Sequence, residues 1–153
     1  MPSVPPKAEV CNCLAIRQAA RHVSQFYDQC LAPSGLRGSQ FSILARLKRF
    51  GPMTINALAH DLVMDRTTLG RNILPLERER LIDIRPGRSD RRAKELHLTA
   101  AGAARWRAGM AHWSEAQHRF EAAFGAERAA ALRDLMRDVS ASDFAAVAEA
   151  AAD

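Results

Sequence analysis

The chain has 153 residues, 48% of them hydrophobic and 25% charged, with a net charge of +5. That size and balance suit one globular domain with a core of its own. No apolar run approaches the ~20 residues of a membrane-spanning helix, and residues 1–8 lack the apolar stretch of a secretion signal. The expectation is therefore a cytoplasmic protein with no membrane partner, in which an odd number of cysteines builds no disulfide framework.

Residues 1–9 carry three prolines and read as a disordered lead-in to one domain over 10–153. Residues 10–31 read as a helix. Cys13, Ile16, Ala20, Val23, Tyr27 and Cys30 step by three and four, which makes one apolar stripe. Pro33-Ser34-Gly35 ends it. Ser39 is a candidate cap for a second helix over about 40–49, with Phe41, Leu44 and Leu47 inward, and Gly51-Pro52 breaks that helix. Thr54 caps a short third helix, with Ile55, Leu58, Ala59 and Leu62 inward. Val63-Met64 turns the chain, and Asp65 caps a fourth helix over about 66–80. Helix, tight turn, helix is the spacing of a helix-turn-helix. Pro75 inside the fourth helix removes the hydrogen bond to the Arg71 carbonyl, so a bend is expected beyond the polar residues 66–72.

Two short strands follow, over 81–85 and 94–98, closed through Pro86-Gly87. Between them lies a basic tip: residues 85–94 hold five Lys/Arg against one Asp, while residues 139–153 hold three acids and no Lys or Arg. Clustered positive charge of this kind is a footprint for phosphate. Thr99 caps a fifth helix over about 100–124, about 37 Å long, with Trp106, Met110, Trp113, Gln117, Phe120 and Phe124 on its buried side. Gly125 breaks it, and an alanine-rich helix carries Leu132, Leu135, Met136, Val139, Phe144 and Val147. The expected class is mainly α with a small β-hairpin wing. It is a winged helix-turn-helix over about 39–98, flanked by long dimerisation helices over about 10–31 and 100–150. The surplus apolar surface at both ends asks for a partner, and a two-fold homodimer supplies one while setting two recognition helices on successive major grooves.

These residues give the chain a resemblance to the multiple-antibiotic-resistance regulator (MarR) family of winged-helix repressors, over about residues 10–150. The wing carries it most specifically: Asp90-x-Arg92, then Leu98-Thr99 and Gly102. Arg71-x-x-x-Pro75-Leu76-Glu77-x-x-x-Leu81-Ile82 resembles the family's helix-to-wing junction, with Arg80 standing where many members have glycine. The resemblance implies that Arg92 enters the minor groove and that Asp90 orients the wing, by pairing with an arginine. It also implies that Arg66, Thr67, Thr68, Arg71 and Asn72 face the major groove. Arg88 and Arg91 lie beside Arg92 on the tip. The side-chain chemistry agrees, since arginine suits guanine edges, asparagine suits adenine, and a threonine methyl meets thymine.

Cys13 admits three readings. It is a small side chain filling a dimer seam, a sensor of peroxides or electrophiles, or with Cys11 part of a soft-metal site if the helix starts after both. The family's organic-hydroperoxide repressors are similar at Cys13 and Tyr27 but carry a second tyrosine where this chain has Arg17, a cation that would stabilise a thiolate. Cys13 and Tyr27 are about 21 Å apart along one helix, so they would meet only across a dimer. The five histidines (His22, His60, His97, His112, His118) have no zinc spacing, and no phosphate-loop, dinucleotide or nucleophile-elbow motif occurs. We therefore expect no metal, no cofactor and no catalytic residue. The partners expected are double-stranded DNA with a pseudo-palindromic operator, a second copy of the chain and a small-molecule effector. The alternatives are a winged-helix protein-interaction module and a small redox or ligand-binding enzyme built around Cys13.

Overall fold

The computed structural model describes residues 10–144. Its elements are α1 (Asn12–Leu31), a 3-10 turn (Ala32–Ser34), α2 (Gly38–Phe50), β1 (Met53–Thr54), α3 (Ile55–Asp61), α4 (Arg66–Arg78), β2 (Ile82–Pro86), β3 (Lys94–Leu98), α5 (Ala100–Phe124) and α6 (Ala126–Ala141). The chain forms two compact units that divide after Ala116. The mainly helical class with a small β-wing is as the sequence indicates.

The first unit is built around fourteen buried apolar residues running from Leu31 to Leu96. Leu44, Leu58, Leu69 and Leu96 are fully buried. They come from α2, α3, α4 and the sheet, so the helix-turn-helix and the wing share one core. Phe41 stacks between two tryptophans of α5, with ring centroids 6.5 Å from Trp106 and 6.2 Å from Trp113. In the second unit, Ala129 is buried, Arg133 pairs with Glu121 at 3.2 Å, and Arg128 lies over the Phe124 ring.

Several boundaries differ from the sequence reading. α1 starts at Asn12, because Cys11 Sγ accepts the Leu14 N–H at 3.4 Å and caps it. The helix thus begins between the two cysteines, and the condition for a joint metal site, a start after both, is not met. α2 begins at Gly38 rather than after Ser39. Asp28 Oδ1 takes the Gly38 N–H at 2.7 Å and Gln40 Oε1 takes the Arg37 N–H at 3.0 Å, so the first amides are satisfied without a Ser39 cap. α6 ends at Ala141, and Phe144 beyond it is exposed. Val147, the rest of the expected last helix and the expected lead-in over 1–9 lie outside the described residues.

The wing is more than a hairpin. β3 pairs antiparallel with β2 (Ile84↔Leu96) and also with β1 (Met53↔Leu96), in the order β1-β3-β2. Two residues between Pro52 and α3 gave too short a run for a strand to be read from sequence. β2 sits one residue later than expected because the Leu81 N–H is already used, bonding to the Leu76 carbonyl at 2.8 Å. That bond, with Arg80 N–H to Glu77 O at 2.9 Å, closes α4 in a Schellman turn and leaves Arg80 left-handed at φ 55°. α3 ends the same way, with Val63 at φ 52°. Glycine is the usual residue at such a position.

Candidate nucleic-acid interface

α4 is a polar helix because its apolar residues fall on one side. Leu69, Ile73 and Leu76 are at most 2% exposed, spaced four and three apart as a single buried stripe requires. Arg66, Thr67, Thr68 and Arg71 are exposed. A Cβ added to Gly70 would meet nothing within 4 Å, so this face is open. Asp65 caps the helix: its carboxylate accepts the Thr68 N–H at 2.8 Å and the Thr68 hydroxyl at 2.6 Å. The Thr68 hydroxyl and amide together hold the Asp65 carboxyl below its ordinary value of 3.8. The Thr68 hydroxyl proton is therefore already committed to Asp65.

Asn72 is only partly exposed, and its amide is engaged twice. Oδ1 accepts from the Ser39 hydroxyl at 2.7 Å, and Nδ2 donates to the Thr68 carbonyl at 2.9 Å. It ties the polar helix to the start of α2. Sequence reasoning put Ser39 at a cap and Asn72 on DNA, and the spacing of 33 residues carries no signal that the two would meet.

The wing tip is held by its own backbone. Asp90 Oδ1 accepts the Arg92 N–H at 2.9 Å, the Ala93 N–H bonds to the Asp90 carbonyl at 3.0 Å, and the Gly87 N–H bonds to the Ala93 carbonyl at 2.8 Å. A Cβ on Gly87 would lie 2.6 Å from the Asp90 carbonyl oxygen, so only glycine fits there. Asp90 thus orients the tip through the main-chain amide of Arg92, and no ion pair between Asp90 and an arginine is found among the described residues. Arg88, Arg91 and Arg92 project exposed from this folded loop.

Both halves of the interface are anchored at one place. Thr99 Oγ1 donates to the Arg80 carbonyl at 2.7 Å and accepts the Gly102 N–H at 2.9 Å, and the Thr99 N–H bonds to the Leu81 carbonyl at 3.1 Å. A Cβ on Gly102 would sit 1.9 Å from that Leu81 oxygen. Arg105 of α5 pairs with Glu79 at 3.1 Å. The end of α4, the start of β2 and the end of β3 therefore all meet the first turn of α5.

The distribution of paired and unpaired arginines is informative. Arg46, Arg85, Arg105, Arg133 and Arg137 each have a carboxylate partner. Arg66, Arg71, Arg88, Arg91 and Arg92 have none among the described residues. They are exposed, two on α4 and three on the wing tip; Arg17, Arg21, Arg37, Arg49, Arg78, Arg80 and Arg107 are likewise exposed without a carboxylate partner among the described residues, so what sets the five apart is their grouping on the polar helix and the wing. Cys13 and Arg17 are exposed one turn apart on α1, and Tyr27 is half-buried nearer its end. No group of three or more His, Cys, Asp or Glu suited to a metal occurs among the described residues, nor does a helix long and apolar enough to cross a membrane.

A family model described as the MarR family matches residues 36–94. The HTH-type transcriptional regulator YwoH of Bacillus subtilis is 36% identical over 84 residues, which is 55% of this chain; the match spans 61% of YwoH. Among solved structures, the Mycobacterium tuberculosis transcriptional regulator MosR is 31% identical, with 89% of this chain and 100% of that one covered at a TM-score of 0.75. The transcriptional repressor CouR, solved on a 23-mer DNA duplex, shares the fold at 23% identity and a TM-score of 0.77, with 88% of this chain and 96% of that one covered.

Proposed function

The chain belongs to the MarR family, and from that premise we propose that it is a homodimeric, sequence-specific DNA-binding repressor released by a small ligand or by oxidation of a cysteine. The observation that carries this reading is the set of exposed arginines without carboxylate partners on α4 and the wing tip. An unpaired guanidinium at the surface is ready to meet a phosphate or a guanine edge without first breaking an ion pair. In this reading α4 enters the major groove with Arg66, Thr67, Thr68 and Arg71, and Asn72 holds the helix in place from behind. Arg92 reaches into the minor groove, and Arg88 and Arg91 lie on phosphates. CouR, which shares the fold, is a repressor solved bound to a 23-mer DNA duplex.

Dimerisation is supported by what α1 and α6 leave uncovered. Ile16 is 39% exposed, Leu135 59% and Met136 38%. A second copy covers such surface and places two copies of α4 about one helical turn of DNA apart. Release then comes through the dimer: a ligand, or oxidation of Cys13, changes the separation of the two recognition helices. For oxidation the step is attack of the Cys13 thiolate on a hydroperoxide, giving a sulfenic acid and an alcohol.

The test is fluorescence anisotropy on DNA from upstream of the protein's own gene, titrated with salt under reducing conditions and repeated after one equivalent of organic hydroperoxide. Tight binding with a steep salt slope is expected. A winged-helix module that binds only protein would show no binding that distinguishes this DNA from a scrambled duplex. Binding indifferent to the peroxide would remove Cys13 from the mechanism and leave the ligand route.

A further inference from the structure

Two residues of α4 have no explanation within the fold. The first is Gly70. Glycine in a helix interior costs stability relative to alanine, because it gives up more backbone freedom on folding. Of the chain's eight glycines, three stand at positive φ, and at four others a Cβ would lie 3.4 Å or less from a neighbouring atom. Gly70 has neither reason. It sits inside α4, its φ is not positive, and a Cβ there would meet nothing within 4 Å. Nothing in the chain itself requires that Cβ to be left out.

The second is Leu74, which is 49% exposed on a helix whose Leu69, Ile73 and Leu76 are buried. Gly70 and Leu74 are four residues apart, so they are neighbours on one face, with the exposed Thr67 a turn before Gly70. Side chains on a helix lean toward its N-terminus, which sets Leu74 over the turn that holds Gly70. Bare backbone beside an exposed leucine makes a shallow apolar notch. Arg66 and Arg71 flank it, both exposed and without carboxylate partners among the described residues. The notch is thus apolar at its floor and cationic at its rim, and its complement is an apolar knob on a polyanion. In the major groove of DNA that knob is the C5-methyl of thymine.

We infer that Gly70 determines specificity: its missing side chain lets a thymine methyl come against the backbone of α4, and Leu74 forms the wall of that contact. The inference deepens the function proposed above and rests on it, since it needs α4 in the major groove. Arginine contacts hold the protein to phosphates or donate to guanine edges. Gly70 reads a base in another way, by leaving room for it. A side chain at this position fills the notch and holds the helix off the base pair, while the helix itself gains from the same change. Gly70→Ala therefore strengthens the fold and weakens selective binding together, a combination that a glycine needed only for folding would not give.

The experiment uses the full chain and a duplex that it selects from a random pool. In urea unfolding, Gly70→Ala should move the midpoint upward. In fluorescence anisotropy it should bind the selected duplex about ten-fold more weakly, with a much smaller loss on a scrambled duplex. Thymines of the selected duplex are then replaced one at a time by deoxyuridine, which deletes only the C5-methyl. At one thymine in each half-site the wild type should lose about four-fold, and Gly70→Ala and Leu74→Ala should lose nothing further. A lowered unfolding midpoint, or wild-type affinity of Gly70→Ala for the selected duplex, overturns the inference. So does equal weakening on both duplexes with deoxyuridine inert throughout, which would put a backbone phosphate at Gly70 instead. A wild type that selects no duplex at all fails at the first step; it overturns the proposed function and takes this inference with it.

Discussion

The segment from Leu31 to Leu96 and the helices at the two ends handle apolar surface in opposite ways. The middle segment buries fourteen apolar residues in one cluster, whereas beyond it Ala116 and Ala129 are the buried hydrophobics among the described residues. α1 buries only Leu31, though it runs for 20 residues, and α6 leaves Leu135 and Met136 exposed. The middle buries its apolar residues within one chain, and the ends leave Ile16, Leu135 and Met136 exposed, surface that the proposed dimer would cover. Backbone bonding divides in the same direction: Thr99, Gly102 and Arg80 fix α5 to the recognition helix and the wing, so the rigid part of the first unit is the part that would meet DNA.

The sharpest way to break that contrast is at Gly102. Replacement by alanine drives a Cβ into the Leu81 carbonyl, so Gly102→Ala should cost roughly 3 kcal/mol of stability in urea unfolding and uncouple the wing from α5. A charge on the apolar stripes should do the reverse. Ile16→Glu and, separately, Leu135→Glu should each raise the dimer dissociation constant by about a hundred-fold or more in sedimentation. The compact middle should stay folded by circular dichroism. If either glutamate variant dimerises as the wild type does, that face is not an interface.

Arg92→Ala touches neither core nor dimer. It should lower DNA affinity about ten-fold and reduce the salt slope by about one, with the unfolding midpoint unchanged. Smaller still are the two left-handed residues. Val63→Gly and Arg80→Gly remove a side chain from a conformation it tolerates poorly, and each should gain about 0.5–1 kcal/mol. Val63 should gain more because it is β-branched. The pH dependence at Asp65 is the smallest effect near neutrality. Its folded-state value lies below 3.8, so the cap's contribution is full above that pH and fades as pH falls through the lower, folded value. Asp65→Asn should flatten the acid limb of an unfolding curve, and the loss of the charged cap should be read as slightly lower stability at pH 7.

What was legible in the sequence were the features set by local spacing. The inward stripe of α4, the caps at Thr54, Asp65 and Thr99, and the breaks at Gly51 and Gly125 are each written within a few residues, and the structure has them all. The hidden features depend on what lies across the fold. β1 pairs with β3 over about forty intervening residues, Ser39 meets Asn72, and α2 starts early because Asp28 reaches over from α1. Arg80 was visible as an anomaly, an arginine where glycine is common, and its left-handed φ of 55° shows what that glycine would be for. The exposed arginines were legible as residue types, but their lack of carboxylate partners emerged only once the ion pairs elsewhere were in place.

A dimeric repressor of this fold sets two copies of α4 and two wings on one duplex. A hydroxyl-radical footprint of the full chain on a DNA it selects measures this directly. Two equivalent protected segments are expected, their centres about one helical turn, ~10 base pairs, apart, with the outer protection lost in Arg92→Ala. A single protected segment, or a wild-type footprint identical to that of Arg92→Ala, would contradict it.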